Sequence, residues 1–91
     1  MSYRVEIKPS ARKDLMRLPL DAQERIGDAF DALAHEQRPR ASRKLRGRLS
    51  GMLRVRVGDY RASYTVDDRA SLITVWRIGH RSTFYKRMEG L

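Results

Sequence analysis

The 91-residue chain contains no cysteine, which excludes a disulfide framework and any thiolate metal site. Its only two histidines, His35 and His80, stand far apart without a set of carboxylates around either, so no metal site is expected. No apolar run approaches the roughly 18 residues of a membrane span, and no signal-peptide core follows Met1. The chain therefore reads as soluble and cytoplasmic, with no membrane partner. Acid is scarce where base is plentiful. The formal net charge is +9, from 20 Lys and Arg against 11 Asp and Glu. From Arg38 to Arg61 nine basic residues meet one acid (Asp59), a local excess of +8; from Ser10 to Gln37 four meet six, a local −2. A basic block of this kind suits a polyanion or an acidic protein partner. The length fits one domain over 1–91, with a single modest core.

Periodicity supplies the elements. Tyr3, Val5 and Ile7 alternate with Arg4, Glu6 and Lys8, the pattern of a half-buried strand, and Pro9 closes it. Ser10 suits an N-cap, after which Ala11, Leu15 and Leu18 fall on one helical face ending at Pro19. A second helix is predicted from about Leu20 to His35, with Ala22, Ile26, Ala29, Phe30 and Leu33 as its stripe. With Pro19 alone between them, the helices should form an αα-hairpin. Beyond the polar connection Glu36 to Ser42 the period becomes two. Short strands are predicted near Lys44–Leu49, Met52–Val57, Tyr60–Val66 and Leu72–Ile78, with turns at Ser50-Gly51, Gly58-Asp59 and Asp67-Asp68. A short helical or irregular tail follows Gly79. The fold class is α+β: an N-terminal strand, a two-helix hairpin, then a three- to four-stranded antiparallel sheet.

The segment Arg54-Val-Arg-Val-Gly-Asp-Tyr-Arg61 carries the chemistry. Successive strand residues face opposite sides, so Leu53, Val55 and Val57 can enter a core while Arg54 and Arg56 point together into solvent. The Gly58-Asp59 turn then returns Arg61 to the same sheet. Guanidinium groups fixed on strands suit polyanions such as RNA phosphates. Lys44, Arg46 and Arg48 form a second basic stripe, suited to gripping RNA or docking a protein partner. Trp76, Phe84, Tyr60 and Tyr64 read as core, and His35 as a favourable charge at a helix C-terminus.

Taken in order, Pro-Ser-Ala-Arg-Lys-Asp-Leu at 9–15, Leu18-Pro19, Lys44-Leu-Arg-Gly47, Leu53-Arg-Val-Arg-Val-Gly-Asp-Tyr-Arg61, Tyr64, Ile78-Gly-His-Arg81 and Tyr85 resemble the RelE/ParE superfamily of bacterial toxins, and its RelE-type branch best. The resemblance implies a compact ribonuclease that cleaves mRNA in the ribosomal A site without a cofactor. It implies a RelB-type antitoxin as partner, with the toxin–antitoxin complex a higher oligomer. The functional positions it implies are Arg54, Arg56, Arg61, Arg81 and Tyr85. RelE itself has lysines where this chain has Arg54 and Arg56. Arginine effectively keeps its proton, which counts against a general-base role at these two positions.

RNA cleavage without a metal needs the 2′-hydroxyl deprotonated, the phosphorane charge stabilised and the leaving 5′-oxygen protonated. Arg54, Arg56 and Arg61 can supply charge stabilisation. Arg81 follows a strand end, where it can reach the scissile phosphate or pair with a tail acid such as Glu89. Histidine is the side-chain type suited to proton transfer near neutral pH, but His80 adjoins Arg81 and can point the opposite way. Tyr85 can stack on a base or donate its hydroxyl. The competing function is a ParE-like protein that inhibits DNA gyrase by binding, without catalysis; the two share a fold, so fold does not separate them.

Overall fold

Alternating apolar and charged residues give the first strand, β1 (Arg4–Ile7), and Pro9 ends it by opening a helix. The computed structural model describes residues 2–88. Helix α1 (Pro9–Met16) and helix α2 (Leu20–His35) follow, then β2 (Ser42–Lys44), a 3₁₀ turn (Gly47–Leu49), β3 (Leu53–Val57), β4 (Tyr60–Asp67), β5 (Leu72–His80) and α3 (Phe84–Met88). The strands form one sheet in the order β1-β5-β4-β3-β2. β2 to β5 make an antiparallel meander, and β1 pairs with β5 in parallel. The helices thus carry the chain from one edge of the sheet to the other, and the meander brings it back.

The core lies under the helices. Ile26, Phe30 and Leu33 of α2 and Ala11 of α1 meet Leu53, Val55, Ala62, Tyr64, Ile73, Val75 and Ile78 from the strands. Burying a large aliphatic side chain is worth about 1.5–3 kcal/mol, so the α2 stripe anchors the layer. The buried Tyr64 hydroxyl donates to the Gln37 carbonyl at 2.8 Å, which ties the helix exit to the sheet. Trp76 is half-buried and Phe84 fully buried, but Phe84 and Met88 lie outside the main core, under α3.

Several elements differ from the sequence expectation, each for a local reason. Helix α1 starts at Pro9, with Lys8 rather than Ser10 at the cap and no side-chain cap bond; proline's fixed φ suits a first helical turn. Three residues, Arg17 to Pro19, join the helices instead of one. Both pack on the sheet, α1 against β5 and α2 against β1 and β3. The strand predicted at Lys44–Leu49 is instead Ser42–Lys44 followed by the 3₁₀ turn, because Gly47 sits at φ +66°, which ends a strand. The sheet has five strands because β1 joins it.

One register shift in β5 decides which side chains face which way. Ser63 pairs with Arg77 but Tyr64 pairs with Val75, so Trp76 is the extra residue of a bulge. Strict alternation from Ile73 and Val75 would send Arg77 into the core; the bulge gives that position to Ile78 instead. Ser63 Oγ accepts the Arg77 N–H at 3.1 Å, and Trp76 Nε1 donates to Thr65 Oγ1 at 3.0 Å. The Ile78 N–H, beyond the end of β1, is taken by Asp14 Oδ2 of α1 at 3.0 Å.

That carboxylate accepts three further bonds: Arg77 Nε at 2.9 Å, Arg77 Nη2 at 3.1 Å and Arg87 Nη1 at 2.8 Å. Asp14 is 4% exposed. Hydrogen bonding to the Asp14 carboxylate raises the Arg77 pKa above its ordinary value, against the opposing effect of burial. The cluster joins α1, β5 and α3 at one point. Asp14→Asn should destabilise the fold by about 3 kcal/mol, the low end for breaking a buried pair because the freed arginines can rehydrate. Arg4→Ala, which removes an exposed pair with Glu6, should cost less than about 0.5 kcal/mol. Urea melts of the two variants against wild type check this; equal losses would contradict it.

Candidate active site on the arginine face

The sheet face opposite the main core is set by register. Arg56 of β3 lies directly across from Arg61 of β4, and Arg43 of β2 directly across from Arg54 of β3. Opposed residues share a face, so three strands present these four arginines together. Arg54 is half-buried: its Nη1 donates to the Ala41 carbonyl at 3.1 Å, and its Nε is buried with no hydrogen-bond partner among the described residues. Arg61 Nη1 donates to the carbonyls of Gly58 and Tyr60, both at 3.0 Å. Partial burial lowers the Arg61 pKa most, and the nearby positive charges of Arg54, Arg56 and Arg81 lower it further.

The chain's last described elements close this site. The Arg81 N–H donates to the Asp59 carbonyl at 2.7 Å, which fixes the end of β5 against the β3–β4 turn. Its guanidinium makes a long, exposed ion pair with Asp59, Nε to Oδ1 at 3.9 Å; Glu89, the acid considered for it from the sequence, lies outside the described residues. Helix α3 then crosses the same face. A Cβ at Gly79, the residue paired with Arg61, would stand 3.6 Å from Phe84 Cα and 3.3 Å from Arg87 Cδ. The helix backbone approaches there because glycine leaves room. Tyr85, 52% exposed, leans edge-on against buried Phe84 and lies within electrostatic range of Arg61.

Of the residues singled out in the sequence, Arg54, Arg56, Arg61, Arg81 and Tyr85 come together here. His80 does not. It pairs with Tyr60 on the helix-bearing face, edge-on to that ring at 5.7 Å, and its Nδ1 lies 2.8 Å from Ser82 Oγ. Lys44 pairs with core-facing Leu53 and so sits on the far side at the sheet edge. Arg46 precedes the 3₁₀ turn and Arg48 lies within it, both exposed, so the three do not form a strand-borne stripe. Arg43 was missed, because only the β2 register places it opposite Arg54. The Asp14 cluster was missed too, although an acid three residues after Ala11, on the buried side of α1, is a readable signal. Among the described residues, no three His, Cys, Asp or Glu side chains are grouped to hold a metal ion.

With this geometry in view, the comparisons with known proteins are specific. The family profile described as ParE toxin of the type II toxin-antitoxin system parDE matches residues 5–85. The chain belongs to the RelE/ParE superfamily of type II toxins. It is 34% identical over 88 residues to Toxin RelG of Mycobacterium tuberculosis, covering 96% of this chain and all of that one. It superposes on the toxin–antitoxin complex RelBE2 of the same organism with TM-score 0.80 at 33% identity, over 89% of this chain and 100% of the other. An archaeal RelE–RelB complex from Pyrococcus horikoshii gives 0.77 at 33%, over 89% and 97%. The isolated toxin RelE of E. coli shares the fold, with TM-score 0.73 at 22% identity over 96% and 99%.

Two arginines directly opposed on adjacent strands repel, so the toxin's arginine face works against its own stability. Arg56→Thr keeps a strand-forming residue at an exposed position and removes one of the opposed charges. It should raise stability by about 0.5 kcal/mol at low salt, with the gain shrinking as salt screens the pair. Thermal melts at low and high ionic strength check this; a loss of stability at low salt would contradict it.

Proposed function

We propose that this toxin is a RelE-type mRNA interferase, an endoribonuclease that cuts mRNA in the ribosomal A site without a metal cofactor. The observation that carries the reading is the convergence of Arg54, Arg56, Arg61, Arg81 and Tyr85 on one face of the sheet. The 2′-oxygen, giving its proton to solvent, attacks the adjacent phosphorus; the P–O5′ bond breaks, and the leaving oxygen takes a proton. The products are a 2′,3′-cyclic phosphate and a 5′-hydroxyl. Arg56, Arg61 and Arg81 stabilise the phosphorane charge, and Arg54 serves a neighbouring phosphate. Preorganised cations are effective here because no reorganisation is needed as charge develops. Tyr85 stacks on a base or supplies the leaving-group proton through its hydroxyl. His80 faces the other side and stays outside the reaction.

Arg61→Ala or Arg81→Ala should slow single-turnover cleavage by about 10² or more, equivalent to about 2.7 kcal/mol, while shifting stability by under about 0.5 kcal/mol. EDTA should leave the rate unchanged where the ribosomes remain intact. The assay uses ribosomes programmed with a defined A-site codon. Full activity in both variants would remove this site from the chemistry, and a rate lost in EDTA would remove the metal-free step.

A second reading has one observation in its favour: the family profile carries the name ParE. A ParE-like toxin would use the same basic face to bind and inhibit DNA gyrase, with no bond cleaved.

The partner we propose is a RelB-type antitoxin whose acidic segment lies across the arginine face, in a complex of higher order. The solved structures similar to this chain include toxins bound to their antitoxins. The local excess of positive charge should draw an acidic segment in from a distance, so the association rate constant should fall steeply with added salt. A rate independent of ionic strength, measured by stopped flow, would contradict electrostatic docking.

A further inference from the structure

Arg43 is the arginine of this face that the proposed chemistry leaves without a role. It is exposed on the edge strand and stands directly across from Arg54. Its Nη1 is held by two backbone carbonyls, those of Arg40 and Ser42, both at 2.8 Å, so the guanidinium is folded down against its own strand. The Nε and Nη2 nitrogens carry no hydrogen bond to the described residues, and these two form the fork that guanidinium offers to a phosphate in bidentate fashion. Beside it, Arg54 is tethered by Ala41 and keeps a buried Nε with no hydrogen-bond partner among the described residues. Two cations held side by side without an acid between them repel each other, and a phosphate placed over the pair relieves that repulsion.

Position gives the pair its meaning. Arg61 and Arg43 are two strands apart, about 10 Å at the usual strand spacing, with Arg54 and Arg56 on the strand between. A phosphate held by Arg56, Arg61 and Arg81 therefore leaves Arg43 to one side, two strands from Arg61, with Arg54 on the strand between them. We propose that Arg43 and Arg54 form a second phosphate-binding pair, which holds a phosphate next to the cleaved one and sets the path of the RNA strand across β2. This assignment rests on the mRNA-cleaving reading above and adds to it a direction for the strand and a residue, Arg43, that positions substrate.

The test is a pairing of protein and RNA changes in ribosomes programmed with a defined mRNA. A neutral methylphosphonate is placed in turn at each phosphate flanking the cleaved one. Arg43→Ala should lower kcat/KM about tenfold, the size of a lost charge-assisted contact, and Arg43→Thr, which suits a strand, should match it. At one flanking position the methylphosphonate should cost the wild type about tenfold and the Arg43 variants less than twofold. Arg12→Ala, which removes an exposed arginine of α1, should stay within twofold of wild type. Arg43 variants with wild-type kcat/KM, or paying the full methylphosphonate penalty at both positions, would overturn the assignment while leaving the cleavage reading intact. An equal loss in Arg12→Ala would also overturn it, because the effect would then be bulk charge. A wild-type protein that cuts no mRNA would remove the cleavage reading itself, and this pair with it.

Discussion

The carboxylate of Asp14 is the point on which the arrangement of the site depends. It receives the backbone N–H of Ile78 and the guanidinium groups of Arg77 and Arg87, and so it holds α1, the bulged part of β5 and α3 together. Each bond answers a specific need. β1 ends at Ile7, so the edge of β5 beyond Val75 has no strand to pair with, and the helix supplies an acceptor where a strand would have done so. The bulge at Trp76 keeps Arg77 out of the core and within reach of Asp14. Arg87, reaching from α3, fixes the short helix that carries Tyr85. A five-residue helix is too short to be stable in isolation, so tertiary anchors such as this one and the burial of Phe84 and Met88 must hold it.

The arginine face itself shows the complementary arrangement, in which positive charges are assembled with little counter-charge. Among the described residues Asp59 is the one acid in an ion pair with the arginine cluster, and the contact is long and exposed. Where Asp14 satisfies two arginines and contributes to folding, Arg43, Arg54, Arg56 and Arg61 are opposed in pairs across strands and repel. The core under α2 must offset that repulsion. Such local conflict marks functional surfaces, because a site preorganised for a polyanion cannot carry its own counter-charges.

Much of this was legible in the sequence. Alternation placed β1, β3, β4 and β5, and the helical stripe of α2 was read to its observed ends. The arginine hairpin was legible because period-two alternation fixes which residues share a face. What the sequence hid was register. Arg43 joins the site only through the pairing of β2, a strand that local pattern misplaced by about two residues because Lys44-Leu-Arg alternates as well as Ser42-Arg-Lys. His80 was a candidate for its proton-transfer chemistry, with its direction left open beside Arg81; the bulge in β5 settles that direction. The role of Asp14 depends on three elements far apart in the chain, which no local pattern reports.

The family membership and the geometry together leave one question of chemistry, whether the arginine face breaks a bond or only binds. The direct measurement is to express the toxin without an antitoxin, map 5′ ends across cellular mRNA, and assay DNA supercoiling in the same cells. Discrete new 5′-hydroxyl ends within translated codons, with supercoiling unchanged, are the predicted result. Intact mRNA with blocked supercoiling would contradict it.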